Sequence, residues 1–238
     1  MADRFFTPHS FEGPTVELDG PEAHHLIHVL RKAVGQDVLL FDGQGTEATA
    51  KIVSLAKKTV ELRVLSKTQL PEEAHVPVIL GTAVPKGDRI GWLVEKVTEL
   101  GVDRLVPLKT ARSIVHPGAG KLEKMRQTVI AASKQSGRSR LLQVDPTLTW
   151  NEFIAREFPE RTVLVADPAG APLVGAIKPD AFDSTIVLAI GPEGGFTDGE
   201  ITSAVEAGAR LVSLGPRILR IETAAVSFSA VVAFGMHQ

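Results

Sequence analysis

Two short segments near the carboxy end hold the side chains best suited to chemistry. Ile190-Gly191-Pro192-Glu193-Gly194-Gly195-Phe196 places three glycines within five residues, which lets the backbone approach a ligand closely. The run is neither the G-x-G-x-x-G dinucleotide pattern nor a P-loop, since no Gly-Lys-Ser/Thr follows. By itself it reads either as a ligand loop or as a tight turn. The second segment, Leu214-Gly215-Pro216-Arg217-Ile218-Leu219-Arg220-Ile221-Glu222-Thr223-Ala224, repeats the Gly-Pro pair and adds two arginines and a glutamate. Ionisable groups gathered where a strand gives way to a helix suggest a functional site. The structural alternative is a mutual salt bridge between Arg220 and Glu222, the acid being favoured by a helix dipole. A third cluster, His24-His25-Leu26-Ile27-His28, sets His24 and His28 four residues apart. It lacks a clear third ligand, so the reading is no metal.

Composition narrows the chemistry. The chain contains no cysteine, so disulfides, thiolate zinc sites, iron–sulfur clusters and thiol nucleophiles are excluded. A reaction must run on carboxylates, hydroxyls, imidazoles, arginines or a bound cofactor. Of 238 residues, 44% are hydrophobic and 23% charged, which excludes a disordered chain. Apolar runs such as residues 185–190 fall far short of the ~20 residues of a membrane span. The start, Met1-Ala2-Asp3-Arg4-Phe5-Phe6, carries no signal-peptide stretch, so a cytoplasmic protein is expected. Charge is uneven: residues 86–140 carry 12 Lys+Arg against 5 Asp+Glu, or +7, whereas residues 141–238 carry 6 against 12, or −6. A local basic excess suggests an anionic partner, nucleic acid being the commonest, although a solvated Lys-rich face reads equally well.

The elements that must position these residues fall into two groups. Residues 1–70 read as short strands, at 15–18, 37–42, 46–53 and 59–65, separated by turn signals at Asp42-Gly43, Gly45 and Lys57-Lys58. One helix interrupts them, with Pro21 near its start and Leu26, Val29 and Leu30 at helical spacing. This pattern suggests a small barrel or sandwich. Residues 69–77, with two prolines and two acids, read as a linker. Beyond it strands and helices alternate: strands at 76–84, 104–108, 162–167, 185–190 and 210–214, and helices at 90–100, 120–136, after a Thr197/Glu200 capping box, and at 223–235. The expected class is α/β with a largely parallel sheet, in which ligands bind at the carboxyl ends of strands.

The paired segments Ile190–Gly195 and Leu214–Ala224 resemble the SPOUT methyltransferases, and more narrowly the RsmE family of 16S ribosomal RNA (uracil-N3)-methyltransferases. Further matches are His25 to Arg31, Leu40 to Gly43, Glu99 to Val102 and Gln135 to Arg138. The likeness spans nearly the whole chain. It implies a PUA-like RNA-binding β-barrel over residues 1–70 and a SPOUT methyltransferase domain with a C-terminal trefoil knot over residues 76–238. It also implies S-adenosylmethionine bound in the knot, a homodimer, and uridine 1498 of 16S ribosomal RNA in the small ribosomal subunit as target. Two positions depart from the family pattern: Ile221, where Thr is common, and Lys134, where Glu usually precedes Gln-Ser-Gly-Arg.

Carried onto this sequence, the resemblance makes Ile190, Gly191, Pro192, Glu193, Gly194, Gly195, Leu214, Gly215, Ile218, Leu219, Arg220, Thr223 and Ala224 the cofactor-binding candidates. Arg220 becomes the group that stabilises charge growing on the base carbonyls. Glu222 becomes the proton acceptor, or the group that orients that arginine. Candidate RNA contacts are Arg4, His25, Arg31, Lys32, Lys86, Arg112, Lys134, Arg138 and Arg140, within a basic set that also includes Arg89, Lys121 and Lys124. Phe5 and Phe6 read as core rings rather than stacking platforms. The missing cysteine closes the adduct route to pyrimidine C5 but leaves nitrogen and ribose oxygen open. The alternatives are a ribose 2′-O-methyltransferase of the same superfamily and a non-catalytic RNA-binding protein on the ribosome.

Overall fold

A computed structural model describes residues 3–71, 76–173 and 185–235. The chain divides into two compact units, Met1–Glu73 with Ser133–Leu141, and Ala74–Ala132 with Leu142–Gln238.

The first unit is built on a five-stranded sheet of order β1-β3-β4-β5-β2, formed by β1 (Arg4–Phe6), β2 (Thr15–Leu18), β3 (Asp37–Phe41), β4 (Thr46–Leu55) and β5 (Val60–Gln69). β1 runs parallel to β3, and the other pairs are antiparallel. Among the described residues this order is an open path ending at β1 and β2, so the expected barrel is met as a half-barrel. Alternation drives it: Ala48, Ala50 and Ile52 of β4 point inward, joining Phe5, Leu18, Leu40 and Leu62 in one core. β1 was not among the expected strands; three residues are too few for a visible period.

The expected helix is short. α1 (Gly20–His24) passes into a single π-helical stretch, His25–Val29. The wider winding moves residues off a 3.6-residue stripe. Of the three residues at helical spacing, Leu26 is buried, whereas Val29 is 61% exposed and Leu30 36%. Residues 133–141 are fastened to this sheet by polar contacts: Arg140 Nη1 donates to Gln44 O at 2.7 Å and Arg4 Nη2 to Ser139 Oγ at 2.6 Å.

The second unit holds an all-parallel sheet of order β12-β10-β11-β6-β7-β8, with β9 also paired to β7. Its strands are β6 (Val78–Ala83), β7 (Arg104–Lys109), β8 (Gln143–Val144), β9 (Leu148–Thr149), β10 (Thr162–Pro172), β11 (Ile186–Ile190) and β12 (Arg210–Ser213). Every residue of β6 and β11 is buried, as unbroken apolar strands covered on both faces must be. The helices are α2 (Arg89–Glu99), α3 (Ala119–Ser136), α4 (Trp150–Glu157), α5 (Asp198–Glu206) and α6 (Ile221–Gly235). α2 buries Ile90, Leu93, Val94 and Val97 and packs against α6.

Sequence patterning had assigned nothing to residues 143–157, where β8, β9 and α4 lie. There Trp150, Phe153 and Phe158 join Phe196 in an aromatic cluster, with the Trp150 and Phe196 rings 4.4 Å apart. Beside it Arg104 donates to the buried carboxylates of Asp145 and Glu157, and Arg161 also meets Glu157. Burial alone lowers the pKa of Arg104, but its hydrogen bonds to Glu157 and Asp145 outweigh that, and the net shift is upward. The expected linker lies partly outside the described residues; Gln69, at its start, ends β5.

Candidate functional site

The carboxyl ends of β11 and β12, with the middle of β10, open into one cavity of about 330 Å³. Ala166-Asp167-Pro168 forms one wall, Ile190 to Phe196 the second, and Ser213 to Gly215 with Arg217 to Leu219 the third; Ile221 and Ala224 of α6 complete it. This is the crevice in which open parallel sheets bind ligands.

Local chemistry shapes both loops. Gly195 closes the first by donating to Pro192 O at 2.8 Å, with φ of +68°. Gly215 takes φ of +113° and donates to Ser213 Oγ at 3.3 Å. Both values lie where side chains are disfavoured. Arg112 Nη1 donates to Gly194 O at 2.6 Å and to Phe196 O at 3.2 Å. The loop then enters α5 through a complete capping box: Thr197 Oγ1 accepts from the Glu200 amide while Glu200 accepts from that of Thr197. Glu200 also accepts from the amide of Ala111 at 2.8 Å.

Of the residues expected to bind a cofactor, all but Arg220 and Thr223 line this cavity. Arg220 and Thr223 are exposed beside lining residues. Asp167 and Ser213 line it although sequence reading does not single them out, and so do Phe196 and Arg217, which stand in the two segments but not among the cofactor candidates. Asp167 has a legible signal, an acid that closes the apolar run Val163–Ala166. The cavity wall therefore carries two acids, Asp167 and Glu193, and one arginine, Arg217, among apolar side chains.

The expected partnership of Arg220 with Glu222 is absent. Glu222 is 8% exposed and is met by Arg89, whose Nη1 lies 3.1 Å from Oε1 and 3.5 Å from Oε2. Glu222 does not line the cavity, whereas a proton acceptor must come within hydrogen-bond reach of its proton. The arginine that meets Glu222 is therefore Arg89 and not Arg220. Arg220 has no side-chain partner among the described residues, and its carbonyl accepts from Ala224 N.

Several expected RNA contacts are spent on internal bonds. Arg4, 10% exposed, pairs with Glu47 at 2.9 Å and lies over the Phe41 ring. Lys134 donates to both Glu22 oxygens at 2.9 and 3.0 Å, sits 3.3 Å from His25 Nδ1 and covers the Phe5 ring. The departure from Glu at position 134 therefore forms a cation site for Glu22. Lys32 pairs with Asp3, Arg140 with backbone carbonyls of Gln44 and Leu70, and Arg112 with the glycine loop. Arg138 is half-buried. Arg31 and Lys86 are exposed, with no ion pair among the described residues, and Arg31 holds φ of +51°. Phe5 is wholly buried, as expected of a core ring. The His24 and His28 rings lie 4.8 Å apart, and no group of three or more potential metal ligands occurs among the described residues.

The RNA methyltransferase domain family matches residues 72–233, and the RNA methyltransferase PUA domain matches residues 18–65. Ribosomal RNA small subunit methyltransferase E of Synechocystis sp. is 37% identical over 213 residues, 88% of this chain and 70% of that protein. The structure of ribosomal RNA small subunit methyltransferase E from Neisseria gonorrhoeae, bound to S-adenosyl methionine, superposes with a TM-score of 0.88 at 34% identity, covering 98% of this chain and 97% of that one. A Legionella pneumophila protein described as a methyltransferase, in complex with SAM, reaches 0.90 at 31% identity, with 98% and 97% covered.

Proposed function

The chain belongs to the family of ribosomal RNA small subunit methyltransferase E, and from that premise we propose that it moves a methyl group from S-adenosylmethionine (SAM) to uracil N3 of uridine 1498 in 16S ribosomal RNA. The observation that carries this reading is the cavity between the Gly191–Phe196 and Ser213–Leu219 loops. About 330 Å³ lies within the range of small-molecule sites. SAM carries two positive groups and one carboxylate, and the wall offers two acids and one arginine. Asp167 and Glu193 suit the cationic sulfonium and ammonium, Arg217 suits the carboxylate, and Ile190, Leu214 and Leu219 suit the flat adenine. When bound, SAM supplies a methyl group already activated by its sulfonium, so no metal is required.

The chain's own task is positioning and exclusion of water. Backbone groups of the two loops hold the donor. Uracil N3 must shed its proton before it can attack, and the resulting charge spreads onto both neighbouring carbonyls. Arg220, exposed between two lining residues and unpaired among the described residues, is the group we assign to that charge. The proton leaves to water, since Glu222 is committed to Arg89. The segment from Leu214 to Ala224 is read as the part that completes a trefoil knot, a second chain as partner in a homodimer, the first unit as a PUA-like RNA-binding module, and the cytoplasm as the place where the small subunit is met.

The test is transfer from isotopically labelled SAM to small-subunit RNA, followed by mass analysis of nucleosides. Label in N3-methyluridine at one site supports the reading. Label on ribose oxygen replaces it with 2′-O-methylation, and binding to RNA without transfer replaces it with a non-catalytic module.

A further inference from the structure

Arg89, the first residue of α2, turns each edge of its guanidinium to a different segment. Nε donates to Lys86 O at 3.2 Å in the turn before the helix. Nη1 donates to Glu222 in the first turn of α6. Nη2 lies 3.9 Å from Glu193 Oε1 in the glycine loop. The two acids sit on segments that form different walls of the cavity: Glu193 lines it, and Glu222, which does not, follows Ile221, which does. We propose that Arg89 is a positioning residue that ties the glycine loop to the start of α6 and so sets the separation of the cavity walls. The proposal rests on reading that cavity as the SAM site.

The two legs differ in kind. Glu222 is almost fully buried, so its bond to Arg89 is the permanent one. Glu193 is 45% exposed and its contact is long, so in open solvent it is screened and weak. A ligand that displaces water from the cavity lowers the local dielectric and strengthens this leg. Closure of the loop and ligand binding are then the same event, with Arg89 as the fixed point. The assignment needs an arginine. A planar fork serves three directions at once, whereas a lysine can neutralise Glu222 but holds no second fixed direction toward Glu193.

SAM titration of the full chain tests this, using Arg89→Lys, Glu193→Gln and the double variant. Arg89→Lys is expected to weaken SAM binding about tenfold, with the loss carried by KM for SAM rather than by kcat or KM for RNA. Glu193→Gln is expected to weaken SAM similarly, and the double variant no more than the worse single. A merely structural arginine would not separate the two KM values. An Arg89→Lys protein that binds SAM as the parent does, or single losses that multiply in the double variant, overturns the proposal. Should Arg89→Lys not fold, an unchanged SAM affinity in Glu193→Gln overturns it instead. A parent chain that takes up no SAM removes the reading of the cavity and the proposal with it, an outcome distinct from a parent that binds and variants that do not differ.

Discussion

Arg220 and Glu222 lie two residues apart, and that spacing decides what they can do. Residues two apart at a helix start point in different directions, so one stays in solvent at the cavity rim while the other turns inward to Arg89. If Arg220 meets charge on the base carbonyls, Arg220→Ala should lower kcat by about 10²–10³-fold, the usual cost of one preorganised donor. SAM affinity should stay within about threefold, as calorimetry would read. Glu222→Gln should leave the pH profile of turnover unchanged while lowering stability by about 1–3 kcal/mol, since it weakens a charged bond to a buried group. A flattened pH profile would return Glu222 to the role of base. The glycines of the cavity were legible in the sequence because their type is their signal. Arg89 was visible only as one basic residue among many, since its two acidic partners lie more than a hundred residues away.

The helix caps show how uneven legibility is between elements. The Thr197/Glu200 box was readable because the wholly apolar β11 and a glycine-rich turn precede it. Thr149 and Glu152 form the same box at the start of α4, but β8 and β9 have two residues each and α4 eight, too short for a period to stand out. The Thr149 hydroxyl, and after it the Thr149 backbone amide, donate to Glu152 and hold its carboxyl below the usual carboxylate range. A depressed value means this group stabilises the fold above the ordinary carboxylate pKa and loses that contribution as pH falls through the folded value. The melting-temperature gap between the parent and Glu152→Gln should therefore be present near neutrality and close in acid. A gap that is constant with pH would contradict the assignment. Glu157 makes a larger test. It is buried among Arg104, Arg156 and Arg161, and Glu157→Gln should cost about 3 kcal/mol in denaturant unfolding, near the low end for opening a buried ionic pair.

For the molecule as a whole, apolar runs buried on both faces announced a parallel sheet, and alternation announced the antiparallel one. Strand order was not legible, because periodicity records which face a residue takes and not which neighbour its strand chooses. Nor was the grouping of residues 133–141 with the first unit, which depends on contacts such as Arg140 with Gln44. The same contacts change the expected electrostatics of RNA binding. Nine phosphate contacts would give a log–log salt slope of about −6 on single strands, at −0.7 each. With Arg4, Lys32, Arg112, Lys134 and Arg140 bonded internally, four of those nine candidates are left for phosphate. A slope of about −3 is then expected, and filter binding across salt concentrations would distinguish the two. The central claim is that the loops after β11 and β12 enclose the methyl donor. A crystal grown with SAM tests it most directly: density is predicted between Gly191–Phe196 and Ser213–Leu219, with Asp167, Glu193 and Arg217 against its charged groups. SAM found elsewhere on the chain, with that cavity empty or filled by side chains, would contradict the account.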